Sequence, residues 1–153
     1  MFILTKRFGR IEIEEKQVIS FTGPILGFTE SKYVVLHQKD DENPFDFLQS
    51  TENENLTFIV INPFHFFEDY EVNIDSQWLE SLDIQNDKDV DILVIVTVRN
   101  AEDITCNLKA PILLNNKNQL AAQIILDHSE YSTRHPLFEK AKGEGSNADP
   151  IEE

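Results

Sequence analysis

Cysteine is almost missing from this chain: Cys106 stands alone, so no disulfide can form within it and no multi-cysteine zinc site can be built. Its apolar surroundings, residues 104–108, suit a small buried hydrophobe better than a reactive thiol. Glycine is scarce as well. There are five, none in a Walker or dinucleotide pattern, which removes the close-approaching backbone that a phosphate loop needs. Basic residues are few: 13 against 28 acidic ones, a formal net charge of -15. Such a surface repels phosphate, which argues against direct nucleic-acid binding and fits either plain solubility or a basic partner. No apolar run is long enough to span a bilayer. Residues 1–10 carry Lys6 and Arg7 but no export-signal core with a cleavage site, so the expected compartment is the cytoplasm, with no membrane contact.

What is present points to β structure. Hydrophobic residues make up 41% of 153, and eleven are Phe, enough for one self-sufficient core. Apolar residues recur mostly at period two. In Arg10-Ile11-Glu12-Ile13-Glu14 the isoleucines share one face and the charges the other, and Gln17 to Phe21 is expected to return as the next strand. The connection Thr22 to Gly27 is rich in turn residues. Tyr33 to His37 and Phe45 to Gln49 read as further strands, separated by a polar stretch whose Asp40-Asp41-Glu42 run predicts a solvated loop. Leu56 to Ile61 is nearly continuous in apolar residues, as a strand covered on both faces should be, and Asn62-Pro63 ends it.

Val90 to Val98 is dominated by β-branched residues and predicts a strand deep in the core. Ile104 to Leu108, Ile112 to Leu114 and Gln119 to Leu126 follow, the last two joined as a hairpin by Asn115-Asn116-Lys117-Asn118. Asp75 to Leu82 predicts a short helix, with Asp75 or Ser76 as cap and Trp78, Leu79 and Leu82 on one face. About nine short strands and one short helix predict an all-β fold: a small antiparallel barrel, closed or nearly closed, with a β-sandwich as the alternative. Residues 1–140 form the single domain. Residues 141–153 hold too little apolar material to order and are expected to be a mobile polar tail.

Chemistry is hard to find. His37, His65, His128 and His135 fall at no metal-ligand spacing, so no metal or cofactor is expected. Asp127-His128-Ser129 has the residue types of a hydrolytic triad, but chain neighbours cannot aim at one another as that relay requires, and turn chemistry explains them better. Two segments stand out instead. Asn62 to Tyr70 packs Phe64, Phe66, Phe67 and Tyr70 beside His65 and Asp69, and aromatics of this kind serve cores and interfaces alike. Tyr131 to Leu137 sets Arg134 and His135 in an otherwise acidic protein, either to pair an internal carboxylate or to meet a partner.

Several strings, in order, carry a resemblance: Pro24-Ile25-Leu26-Gly27-Phe28, Phe45-Asp46-Phe47-Leu48-Gln49-Ser50, Asn62-Pro63-Phe64 through Asp69-Tyr70, Asn107-Leu108-Lys109-Ala110-Pro111-Ile112, and Tyr131-Ser132-Thr133-Arg134-His135-Pro136-Leu137. Together they resemble the FliW family from the first strand to about Phe138, and make residues 1–140 a FliW-like β domain. The resemblance implies a non-enzymatic regulator of flagellum assembly, and a monomer is expected. Proteins of this kind bind the translational repressor CsrA and also bind flagellin, the two partners excluding each other, so that flagellin export frees the regulator to sequester CsrA and restore flagellin translation. The candidate partner-binding residues are Phe64, Phe66, Phe67, Asp69, Tyr70, Arg134 and His135. Two rival readings are a flagellin-only chaperone without CsrA regulation, and an enzyme using a pocket within the barrel.

Overall fold

The computed structural model describes residues 1–37, 43–127 and 129–138. The expected loop at 40–42 and the expected tail at 141–153 lie outside them. Eleven strands and one α-helix are described: β1 (Phe2–Thr5), β2 (Gly9–Glu12), β3 (Ile19–Phe21), β4 (Lys32–His37), β5 (Asp46–Ser50), β6 (Thr57–Ile61), α1 (Ser76–Ser81), β7 (Val90–Asn100), β8 (Asp103–Cys106), β9 (Ile112–Asn115), β10 (Leu120–Gln123) and β11 (His135–Pro136). The mostly-β fold with one short helix is as expected, with more strands than the sequence pattern resolves.

Seven strands close into a ring in the order β3-β4-β5-β6-β7-β9-β10, and back to β3. Strand β7 makes the closure. One of its edges pairs with β6 through Val94, Ile95 and Val96, while Val90 to Leu93 pair with β9. Beyond that point β7 continues against β8, from Val96↔Cys106 onward, and β11 adds to β8's outer edge. The ring is barrel-like, as expected, but not wholly antiparallel: β10 runs parallel to β3 through Leu120↔Ser20 and Ala121↔Phe21. A parallel neighbour cannot come from a hairpin. It needs two strands far apart in sequence, which local pattern does not reveal.

Alternation sorts each ring strand into an inward and an outward set. Ile19, Phe21, Tyr33, Leu48, Val60, Ile112, Leu114 and Ala121 form the inner core. The outward sets are covered in three patches. The β1–β2 hairpin lays Ile3 and Ile13 on Val34 of β4. Trp78 and Leu82 of the helix region lie on Leu113, Ala122 and Ile124. The segments around 66–72 and 126–137 cover Ile61, Val94, Val96 and Cys106. Burial on both faces is why Leu56 to Ile61 reads as a continuous apolar run rather than an alternating one.

Three expectations need correction. Strand β3 does not return along β2: a 3₁₀ turn at Glu15–Gln17 intervenes, β2 pairs with β1, and β3 pairs with β4. Strand β7 is not deep throughout, because its last residues, Thr97 to Asn100, run past the ring and are exposed. Asp75 occupies the N-cap position of α1 but its side chain makes no capping hydrogen bond. The helix is held by tertiary bonds instead, since Asn115 Nδ2 donates to the carbonyls of Leu82 at 2.8 Å and Asp83 at 3.0 Å.

Tyr33 is wholly buried, its ring edge-on to Phe21, and its hydroxyl has no hydrogen-bond partner among the described residues. Burial first, then the carboxylates of Glu30 and Glu52, push its pKa up to about 12; burial lifts the Cys106 thiol to about 11. Both groups are neutral when protonated, so the folded state holds its protons more tightly than the unfolded chain. The stability this contributes is complete at neutral pH and is lost as pH rises through the range from about 9 to about 12. Tyr33→Phe removes an unpaired hydroxyl. Urea titration at pH 7 is expected to show it neutral or up to about 1 kcal/mol more stable, and the variant should resist alkaline unfolding to higher pH; destabilisation by 2 kcal/mol or more would mean that the hydroxyl is bonded in solution.

Candidate partner-binding face

Strand β6 ends at Ile61, and Asn62 then starts a 3₁₀ turn at Pro63–His65, its Oδ1 accepting the Phe64 N–H at 2.9 Å. The Phe67 N–H donates to the Pro63 carbonyl and the Tyr70 N–H to the Phe67 carbonyl, so the segment folds back on itself and presents side chains in alternating depth. Tyr70 goes inward. It is buried, and its hydroxyl donates to the Leu108 carbonyl at 2.6 Å. Burial, with Tyr131 and Cys106 beside it, raises its pKa well above the ordinary phenol value, which keeps the donor protonated. Phe66 and Phe67 are half-buried, while Phe64, His65, Glu68 and Asp69 are exposed.

The chain's last described segment folds against this one. Strand β11 pairs His135 with Cys106, which sets the imidazole edge-on against Phe67 at 4.9 Å. Phe138 stacks edge-on to Phe66 at 6.0 Å, and Tyr131 packs on Tyr70 at 4.8 Å while its hydroxyl accepts the Glu71 N–H. Two segments some 65 residues apart thus make one aromatic surface. Of the seven candidate residues, Tyr70 proves to be core. The other six share the surface or its border: Phe64 39% exposed, Phe66, Phe67 and His135 partly open, Asp69 and Arg134 at the edge. Arg134 is exposed and pairs no carboxylate among the described residues, so the internal ion pair is not found.

Phe138, 53% exposed, is the residue that sequence reasoning missed. It follows the short apolar pair Pro136-Leu137 at the start of a polar stretch, and only the fold shows that its ring sits on Phe66. Phe64 also reaches elsewhere. It lines a cavity of about 660 Å³ at one mouth of the ring, with Ile19, Val35, Leu93 and Leu114 as its apolar wall and the His37–Asp46 pair, 3.0 Å apart, at its rim. Among the described residues the displaced titrations belong to Tyr33, Tyr70, Cys106 and Glu30, none of which lines this space.

No three His, Cys, Asp or Glu side chains gather to hold a metal ion among the described residues. Ser129 Oγ donates to the Leu126 carbonyl at 2.8 Å, the bond of a turn, and His128 lies outside the described residues. No helix among them is long and apolar enough to cross a membrane.

Closure of the sheet through β7, with an open aromatic patch beside β11, defines a small ring-closed β-domain protein. The family model described as FliW protein matches residues 3–137. The flagellar assembly factor FliW of Bacillus subtilis (strain 168) is 44% identical over 138 residues, covering 90% of this chain and 96% of that one. The counterpart from Clostridium novyi (strain NT) is 43% identical over 141 residues, covering 92% and 99%. A crystal structure of the flagellar assembly factor FliW superposes with a TM-score of 0.84 at 41% identity, covering 91% of this chain and 98% of that chain. The chain belongs to the FliW family.

Tyr70→Phe leaves the Leu108 carbonyl without its donor and is expected to cost about 1–3 kcal/mol in urea unfolding. Phe138→Ser, at the surface, should change stability by less than about 0.5 kcal/mol. A large loss from Phe138→Ser would show that its ring belongs to the core.

Proposed function

We propose that this chain is a cytoplasmic, monomeric, non-enzymatic regulator of flagellum assembly that binds CsrA and flagellin in turn, relieving CsrA's repression of flagellin translation whenever flagellin is absent. The observation that carries the reading is family membership over residues 3–137, nearly the whole described domain. The relatives named above are flagellar assembly factors, and the strings that resemble the family run in order from Pro24 to Leu137. The aromatic surface supports it physically. Phe64, Phe66, Phe67 and Phe138 offer rigid apolar area, His135 and Arg134 offer donors, and Asp69 offers a carboxylate for register.

Charge supplies the mechanism of antagonism. A body of net charge -15 docked beside a basic RNA-binding surface repels phosphate, and weakens RNA binding even where the RNA site itself stays uncovered. Contact by the aromatic surface sets position, and the acidic body sets the electrostatic cost to the RNA. Mutual exclusion follows if flagellin occupies the same surface, since an interface stable enough to compete buries about 1,200–2,000 Å² in total.

Titration into fluorescently labelled CsrA, with and without flagellin messenger leader RNA, tests the reading by anisotropy. Saturable binding with RNA release is expected, reversed by added flagellin; no binding at micromolar concentration leaves the flagellin-only chaperone as the better account. The combined replacement Glu68→Gln and Glu71→Gln, which spares Asp69, should leave CsrA affinity within about threefold while RNA release falls. Undiminished release would make steric occlusion the mechanism. Phe64→Ala with Phe138→Ser should weaken CsrA binding at least about tenfold.

A further inference from the structure

Strand β1 lies at an edge of the molecule with one side unpaired. Its register with β2, together with the Ile13 N–H donating to the Met1 carbonyl, turns the backbone groups of Ile3 and Thr5 toward β2. The N–H and C=O groups of Phe2 and Leu4 therefore face the opposite edge. Among the described residues this edge makes one backbone bond, from the Lys6 N–H to the Glu54 carbonyl at 2.8 Å, at the strand's far end. Phe2 and Leu4 are also the exposed apolar pair of the strand, 56% and 61% accessible, while Ile3 between them is buried against Val34.

This edge borders a groove of about 560 Å³ whose other wall is the turn after β5, with Glu52, Asn53 and Glu54, and Glu30 beside it. Two of the carboxylates are fixed in place. Glu52 Oε1 accepts the N–H groups of Ser31 at 2.7 Å and Lys32 at 2.9 Å, and Asn53 Nδ2 donates to Glu30 Oε2 at 3.0 Å. Asn53 and the backbone hold the Glu30 carboxyl below its usual range, so it is charged at neutral pH. Two cations on neighbouring strands are committed elsewhere: Lys32 Nζ donates to Ser20 Oγ, and the Arg10 guanidinium lies 4.1 Å over the Phe2 ring.

We infer that this groove is a second docking surface, separate from the aromatic one, and that its occupant is an extended basic segment of another protein that adds as a strand to β1. The three features call for different parts of one ligand. Free backbone groups at Phe2 and Leu4 pair with an extended main chain, the exposed Phe2 and Leu4 side chains take its apolar positions, and Glu30, Glu52 and Glu54 take the alternating Lys or Arg. A second copy of this chain, at net charge -15, brings the wrong sign, and so does its own C-terminal stretch with Glu144, Asp149, Glu152 and Glu153. The inference stands whether or not CsrA and flagellin occupy the aromatic surface.

The test uses the full chain and a fluorescein-labelled nine-residue peptide alternating valine and lysine, followed by anisotropy, with the same peptide carrying glutamate for lysine as control. Saturable binding of the lysine peptide alone is expected, weakening as salt rises, and amide exchange at Phe2 and Leu4 should slow when it binds. Leu4→Pro removes an N–H that no native bond uses, a substitution an edge strand tolerates, and should abolish binding with the melting temperature little changed. The triple variant Glu30→Gln, Glu52→Gln, Glu54→Gln should weaken binding at least about tenfold. Lack of binding, equal binding of the glutamate peptide, or unchanged exchange at Phe2 and Leu4 would each overturn the inference. So would a concentration-dependent dimer that Leu4→Pro dissolves, since the occupant would then be a second copy. None of these readouts involves CsrA or flagellin, so failure here leaves the regulator reading untouched, and failure of that reading leaves this result standing.

Discussion

Everything in this molecule hangs on the double use of strand β7. Eleven residues extend about 35 Å, more than any neighbour needs, and the surplus lets one edge be shared by two partners: β9 along Val90 to Leu93, and β8 beyond Val96. The first pairing closes the seven-strand ring. The second builds the ledge on which β11, and with it His135 and Phe138, is brought to the aromatic segment after β6. Closure also disposes of sheet edges, which in an open sheet of this size would invite aggregation. An edge remains at β1, short and bordered by glutamates, while its hairpin covers β4 at Val34 and reaches β5, where Phe8 packs edge-on to Phe47 at 5.2 Å.

The ring gives the chain two kinds of apolar surface from the same strands. Inward residues build one continuous core, and outward residues form three patches, each covered by a separate piece of chain: the β1–β2 hairpin, the short helix, and the paired segments at 66–72 and 126–137. The third cover is incomplete in a specific way. Tyr70 and Leu137 reach the core, while Phe64 and Phe138, on the same segments, are left open to solvent. A surface made from the rim of a core cover is held in place by the buried residues of the same segments, here Tyr70 and Leu137.

The strands were mostly legible because two-face burial leaves a strong local signature. Leu56 to Ile61 and Val90 to Val98 announce themselves by apolar density and β-branching, and Asn62-Pro63 and Asn115 to Asn118 mark where strands must end. Where local signal was weak, expectation and structure part. Strand β1 went unassigned because Phe2 to Thr5 is four residues long and two of its three apolar side chains face solvent. The pairing of β3 was misjudged because proximity in sequence favours hairpins, whereas Ile19 to Phe21 is claimed by β4 and, in parallel, by β10. Among the site residues, the composition of 62–70 could not separate Tyr70 from Phe64, since a Tyr is equally suited to a core and to an interface until the partner of its hydroxyl is known.

The sequence by itself determined the class of fold, the limits of most strands, the acidic character of the surface, the scarcity of reactive groups and, through five ordered strings, the family. Each of these is written in residue type and near-neighbour spacing, which period, propensity and charge translate directly. Only the tertiary structure decided that the sheet closes through β7, that β10 lies parallel to β3, that Arg134 has no internal carboxylate among the described residues, and that Phe138 rests on Phe66. These depend on contacts between residues tens of positions apart. Their free energy comes from burying surfaces that become adjacent only after the ring has closed, and no local pattern records that adjacency.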